Sequence, residues 1–234
     1  MIMVRPPQLI VGSRMLYICW KPADPDNVAA LVPSELTPAG DRIVYMNQYV
    51  VDDASQVSNA GSDEAFGAYS LTYLGVDLAG LDTEAGVPGR WWTHYLNSSP
   101  NMIKYAEEHG VPTASGRTEV DLTGDQLVAT TYSDGRAVIR TTCTVRLGNL
   151  IRASGQLRYV TRVHGDLMSG RYPFVADLAE EFEVTSLEFL DPEHPVYQMR
   201  PADPLTITFG FYTPSMSFCY PGGEGPLNEA PHGL

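Results

Sequence analysis

The chain has 234 residues, 44% of them hydrophobic, and a formal net charge of −13. A field of that sign repels polyanions, which argues against a nucleic-acid partner or an anionic membrane surface. No run approaches the roughly 20 apolar residues of a membrane-spanning helix, and Pro6, Pro7 and Arg14 break up any signal-like stretch at the N-terminus, so a cytoplasmic location is expected.

In chain order, Arg14–Trp20 reads as a strand, followed by a short helix near Asp26–Val32, with Asp24 or Asp26 as its cap and Pro33 as its stop. Ile43–Val51, Phe66–Leu78 and Arg90–Leu96 are aromatic and β-branched runs, and read as strands. Ser98-Ser99-Pro100 then opens a helix over Asn101–His109, because serine at the cap and proline in the first turn are entry signals; Gly110 ends it. Arg117–Leu122 turns at Thr123-Gly124-Asp125 into Gln126–Tyr132, and Asp134-Gly135 is a hairpin signal leading into Ala137–Val145. Gln156–Val163, Phe182–Phe189 and Leu205–Tyr212 complete the strands, and the tail from Pro221 reads as flexible.

No linker or repeat divides the sequence. The expectation is one α+β domain over residues 1–220, a mainly antiparallel β-barrel or sandwich with few helices, and a tail over 221–234. Cys19, Cys143 and Cys219 stand in strand-like settings without Cys-x-x-Cys or Cys/His spacing. They read as buried thiols, and no metal or other cofactor is expected. Only two of the 15 basic residues are lysines, Lys21 and Lys104, so chemistry that needs a lysine amine has just those two positions.

Four segments resemble the acetoacetate decarboxylase family, in order and with similar spacing. They are Ser13-Arg14 through Leu31-Val32-Pro33-Ser34-Glu35-Leu36; Gly67-Ala68-Tyr69; Tyr95-Leu96-Asn97 with Glu107 and Gly110-Val111-Pro112; and, more loosely, Gln156 to Leu190. The resemblance implies the family's β-rich fold, a substrate-engaging arginine at Arg14 and an active-site glutamate at Glu107. The glutamate that follows the family's G-x-Y falls on Leu71, and the family's lysine pair falls on Thr113 and Ala114. The family's reaction uses a protonated imine as electron sink, formed by a lysine whose pKa a cationic neighbour and a dry pocket depress. Threonine forms no imine, so that reaction is not expected.

A retained cavity would leave Glu107, Arg14 and His94 as candidate acid, base and anion-holding groups, with Tyr69, Tyr95, Asn97, Thr113 and Arg117 around the substrate. Arg14 and Glu107 read equally well as a buried ion pair, and His94, alternating with Trp92 and Leu96, as a structural histidine. The expectation is an enzyme of secondary metabolism, forming homo-oligomers. It would work on a small carbonyl- or carboxylate-bearing molecule with an apolar body, by acid/base catalysis of lyase, hydratase, isomerase or cyclase type. The alternative is a non-catalytic binding protein that kept the cavity; a residual decarboxylase using Lys104 ranks last.

Overall fold

The structure, a computed structural model, describes residues 4–59 and 65–227. The elements are β1 (Gln8–Trp20), α1 (Pro25–Ala29), β2 (Val44–Val51), β3 (Val57–Asn59), β4 (Tyr69–Leu78), β5 (Gly89–Asn97), α2 (Pro100–Glu108) and β6 (Thr113–Ser115). They continue with β7 (Arg117–Thr123), β8 (Gln126–Ser133), β9 (Arg136–Arg146), β10 (Ile151–Val163), β11 (Asp166–Leu178), β12 (Glu181–Phe189), β13 (Ile207–Tyr220) and β14 (Gly225–Pro226).

Seven strands close into a barrel in the order β10-β11-β13-β1-β2-β4-β5. Neighbours along this path are antiparallel, and the closing pair β5–β10 is parallel, with Tyr159 opposite Arg90 and Val160 opposite Trp91. β6 extends β5 in parallel, β3 adds to β1, and β14 to β11. A second, antiparallel sheet, β12-β9-β8-β7, covers one wall. The architecture is thus the expected β-rich α+β barrel with few helices.

Strand alternation gives this wall two buried faces. Met15, Tyr17, Tyr45, Tyr49 and Tyr73 point into the barrel, while Leu16, Ile18, Val44, Met46 and Leu74 meet Leu127, Ile139 and Cys143 of the covering sheet. β4 is buried along its whole length for that reason, its polar Ser70, Thr72 and Asp77 included. Polar side chains between the layers bond one another: Gln48 donates to Thr131 (2.9 Å) and accepts from Thr141 (2.8 Å), and the Thr72 hydroxyl meets those of Thr118 and Thr131 (both 2.6 Å). Burying these groups unpaired would cost about 1–3 kcal/mol each, so the network fixes how the layers seat.

The local signals act as their chemistry dictates. Asp24 caps α1 through Asn27 N, and Ser99 caps α2 through Met102 N. Asp134 and Gly135 both take positive φ (49° and 77°), which a two-residue hairpin turn requires. Three expectations are corrected. β11 falls where Gly170 and Pro173 hid a strand, because proline is tolerated here opposite Gln156. β13 runs past Tyr212 to Tyr220, accommodating Pro214 at a register shift between the Ser13–Met216 and Met15–Thr213 pairs. Residues 221–227 are held rather than loose: β14 pairs with Met168–Ser169, and Leu227 N bonds Leu167 O (2.9 Å). Residues 228–234 of the expected tail lie outside the described residues.

Candidate functional site

The barrel encloses a cavity of about 230 Å³, lined by side chains from β1, β2, β4, β5, β10, β11 and β13. The lining is mostly aromatic, because every second residue of several strands there is Tyr or Phe. Phe211, Phe218 and Tyr220 of β13 face Tyr49 and Tyr73 across the interior. An apolar cavity of about 150 Å³ holds benzene, so this one is large enough for a substituted ring or a small oxo compound. Phe209, 57% exposed, and Val87 lie at its rim.

One cation lines it. Arg90, at the start of β5, is 7% exposed; its Nε stands 3.4 Å from Asp77 Oδ1, and its guanidinium lies over the rings of Tyr45 (4.5 Å) and Tyr17 (5.0 Å). Among the described residues Arg90 Nη1 has no partner, and neither has Oδ1 of Asn47, 3% exposed on β2. Asn47 Nδ2 donates to Tyr73 OH (2.9 Å), which also bonds Tyr172 OH (2.9 Å). Behind these lies a second hydroxyl chain: Tyr49 meets Tyr69 (2.9 Å) and Tyr220 (3.1 Å), and Tyr220 meets Tyr95 (3.1 Å). Burial pushes these phenols up, Tyr220 to about 12 and the others also above their ordinary value. At neutral pH they are hydrogen-bond donors and acceptors, not bases. No carboxylate, imidazole or lysine lines this cavity among the described residues. Burial also raises Asp77, while Arg90 pulls it back down.

The sequence-predicted residues divide sharply. Tyr69 and Tyr95 are buried in the barrel interior as members of the second hydroxyl chain, and neither lines the cavity itself. Asn97 is fully buried at the end of β5, its Oδ1 accepting from Ser99 N (2.8 Å) and its Nδ2 without a partner. Thr113 sits opposite Tyr95 on β6 with Oγ1 buried and unpartnered. Both lie outside the cavity lining.

The other four do not line this cavity. Arg14 points away from the interior, since its neighbour Met15 takes the inward position; its guanidinium is held by Asp52 (2.6 and 2.7 Å) and by Val120 O. Glu107 is exposed on α2 and Arg14 pairs with Asp52, so the alternative reading of a buried Arg14–Glu107 pair does not hold. Arg117 is exposed on β7, paired with Glu119 and stacked over Tyr132.

His94 is displaced by a bulge at Thr93 that interrupts the β4–β5 register between Leu74 and Gly75. Trp92 and Tyr95 therefore both face inward, and His94 joins the outer face, with Nδ1 3.0 Å from Thr93 Oγ1. Burial, helped by the neighbouring His194, pushes its pKa down to about 4. His109 caps the end of α2, its Nδ1 2.7 Å from Tyr105 O, in line with the capping role its position suggests.

Sequence reasoning missed Arg90, Tyr73 and Tyr172, and did not single out Asn47 within the aromatic segment Tyr45–Tyr49. The available signal was an arginine opening an aromatic strand (GRWWTHYL) and an asparagine spaced by two from Tyr45 and Tyr49.

Among solved structures, the chain is similar to acetoacetate decarboxylase from Legionella pneumophila, with 13% identity, TM-score 0.67, and 93% of this chain and 86% of that one covered. It is similar to the enduracididine biosynthesis enzyme MppR, described in complex with the condensation product of pyruvate and imidazole 4-carboxaldehyde (12%, 0.64, 96% and 90%). A third is an acetoacetate decarboxylase-like enzyme from Sphingomonas wittichii RW1 (14%, 0.62, 96% and 94%). These likenesses establish the acetoacetate decarboxylase-like fold over nearly the whole chain. Neither a protein-family model nor a curated protein sequence matches it.

Proposed function

We propose that the chain is an acetoacetate decarboxylase-like enzyme that takes a small carbonyl- or carboxylate-bearing molecule with an apolar body into the barrel and works without a Schiff base. The observation that carries this reading is the aromatic cavity whose described lining holds one cation, Arg90, together with Asn47 and no lysine. A buried guanidinium beside the cavity favours negative charge developing on a carbonyl oxygen as an enol forms; the α-proton passes to water, since no described lining side chain is a base at neutral pH. The Tyr73–Tyr172 pair supplies a neutral hydroxyl as proton donor, and the Tyr95 ring stacks on Tyr73 (centroids 5.6 Å apart). MppR is described in complex with pyruvate, an oxo acid, which supports a carbonyl ligand here. The proposed setting is the cytoplasm, in secondary metabolism, with the protein self-associated.

The test is proton exchange. The protein is incubated in D2O with a panel of ketones and oxo acids, and loss of the α-proton signal is followed by NMR. Exchange that falls by about 10²–10⁴-fold in Tyr73→Phe supports tyrosine as the proton donor. A second reading, a binding protein, is favoured by one observation: among the described residues no lining side chain is a base at neutral pH. Tight binding of a carbonyl compound with neither exchange nor turnover assigns that reading and overturns the first.

A further inference from the structure

The cavity does not end at its rim. A surface groove of about 410 Å³ shares Tyr17, Val87, Arg90 and Phe209 with it, so the two spaces meet at those four side chains. We infer that cavity and groove form one site for an α-amino acid with an apolar, carbonyl-bearing side chain: the body enters the cavity, and the zwitterionic end stays in the groove with Lys21 and Asp41. This names the substrate class of the site proposed above and rests on that reading.

The barrel interior suits only the apolar part of such a molecule. Its lining is aromatic, and Arg90, the one cation in the described lining, already faces Asp77 at 3.4 Å. An ionised group carried inside would be buried without a counter-charge, at a far higher cost than leaving it in water. About 230 Å³ exceeds a benzene-sized cavity by room for a few substituent atoms, enough for a ring and its carbonyl. Phe209, 57% exposed, extends the aromatic lining into the groove, its ring edge-on to Tyr17 and Phe211 (centroids 6.0 Å apart in both pairs).

The groove offers charge, and of both signs. Arg90 and Asp77 answer each other there, which leaves Lys21 and Asp41, both exposed to solvent. Among the described residues neither forms an ion pair, with the other or elsewhere; Asp41 Oδ1 accepts a long bond from Ile43 N (3.4 Å). Two opposite, accessible and unpaired charges lining one groove match a ligand end that carries both, its carboxylate towards Lys21 and its ammonium towards Asp41. A ligand with a carboxylate alone would approach against the net charge of −13 and leave Asp41 unanswered, whereas a zwitterion has no net charge to repel.

The experiment is calorimetric titration of the full chain at pH 7.5 with 2-amino-4-oxo-4-phenylbutanoate, 4-oxo-4-phenylbutanoate and butyrophenone, which share a phenyl ketone and differ in the polar end. Saturable binding of the amino acid is expected, with the other two about fivefold weaker, and high salt should narrow the difference. Lys21→Gln and Asp41→Asn should each weaken the amino acid about fivefold and leave butyrophenone unchanged. Both positions are exposed, and asparagine keeps an oxygen for Ile43 N, so the fold is retained. Val87→Trp narrows the junction and should weaken all three compounds; Ala85→Trp, on the same cavity-lining segment, replaces it if that variant does not fold by circular dichroism.

Butyrophenone or the simple acid binding as tightly as the amino acid overturns the inference, as does an advantage that survives Lys21→Gln and Asp41→Asn. Native affinity in the tryptophan variant places the ligand in the groove alone and overturns it too. If none of the three binds but pyruvate or acetoacetate does, this inference fails and the proposed function stands. If no carbonyl compound binds at all, both fail.

Discussion

His94 offers the sharpest check on the structure, because two incompatible roles for it predict opposite results. Its imidazole is enclosed on the outer face of β5, and burial lowers its pKa from 6.5 to about 4. At ~1.4 kcal/mol per pH unit, that lowering corresponds to about 3 kcal/mol. Between the two values the unfolded chain binds a proton that the folded one refuses, so stability is full above the unfolded value and falls as pH drops from about 6.5 towards 4. Other titrating groups contribute to the same curve and cancel when a variant is compared. Urea unfolding, followed by tryptophan fluorescence from pH 4 to 8, would be run on the native chain and on His94→Gln. The native chain should lose about 3 kcal/mol more than the variant over that range. His94→Gln should leave ligand binding per folded molecule unchanged, since the ring lies outside the cavity. A constant difference between the two curves, or an NMR titration of His94 near 6.5, would refute the burial argument.

Three further outcomes are expected. Glu107→Gln should change neither binding nor turnover and should shift stability by no more than about 0.5 kcal/mol, because Glu107 is exposed; a large loss of turnover would restore it to the site. Gly75→Ala should destabilise by roughly 1–3 kcal/mol and weaken cavity ligands, since a β-carbon there would lie 2.2 Å from Trp91 O and 2.3 Å from the Tyr45 hydroxyl, the ring that supports Arg90; a stable variant with native affinity would contradict this packing. Borohydride reduction in the presence of a bound ketone should leave no adduct by mass spectrometry, and labelling of Lys21 or Lys104 would overturn the Schiff-base-independent reading.

Much of the fold was legible because its signals are local. The caps at Asp24 and Ser99, the Asp134-Gly135 hairpin and the aromatic strand runs act through neighbouring atoms, so composition and spacing reveal them. Strands whose legality depends on distant partners were hidden. Pro173 and Pro214 look like breaks until β10 and β1 are placed beside them and the ladder is seen to tolerate the missing N–H.

The site follows the same division, with a harsher outcome for charged residues. The sequence by itself determined that no lysine occupies the turn at Thr113-Ala114 and that Lys21 and Lys104 are the chain's two lysines. Which polar residue faces the cavity was decided only by strand register, because a strand turns successive side chains to opposite faces and a single bulge reverses the order. Met15 takes the inward place and sends Arg14 out to Asp52; the bulge at Thr93 brings Trp92 and Tyr95 in together and sends His94 out. Closure of β5 against β10 surrounds Arg90 with tyrosines and leaves Nη1 without a partner, an arrangement that requires the whole barrel to exist.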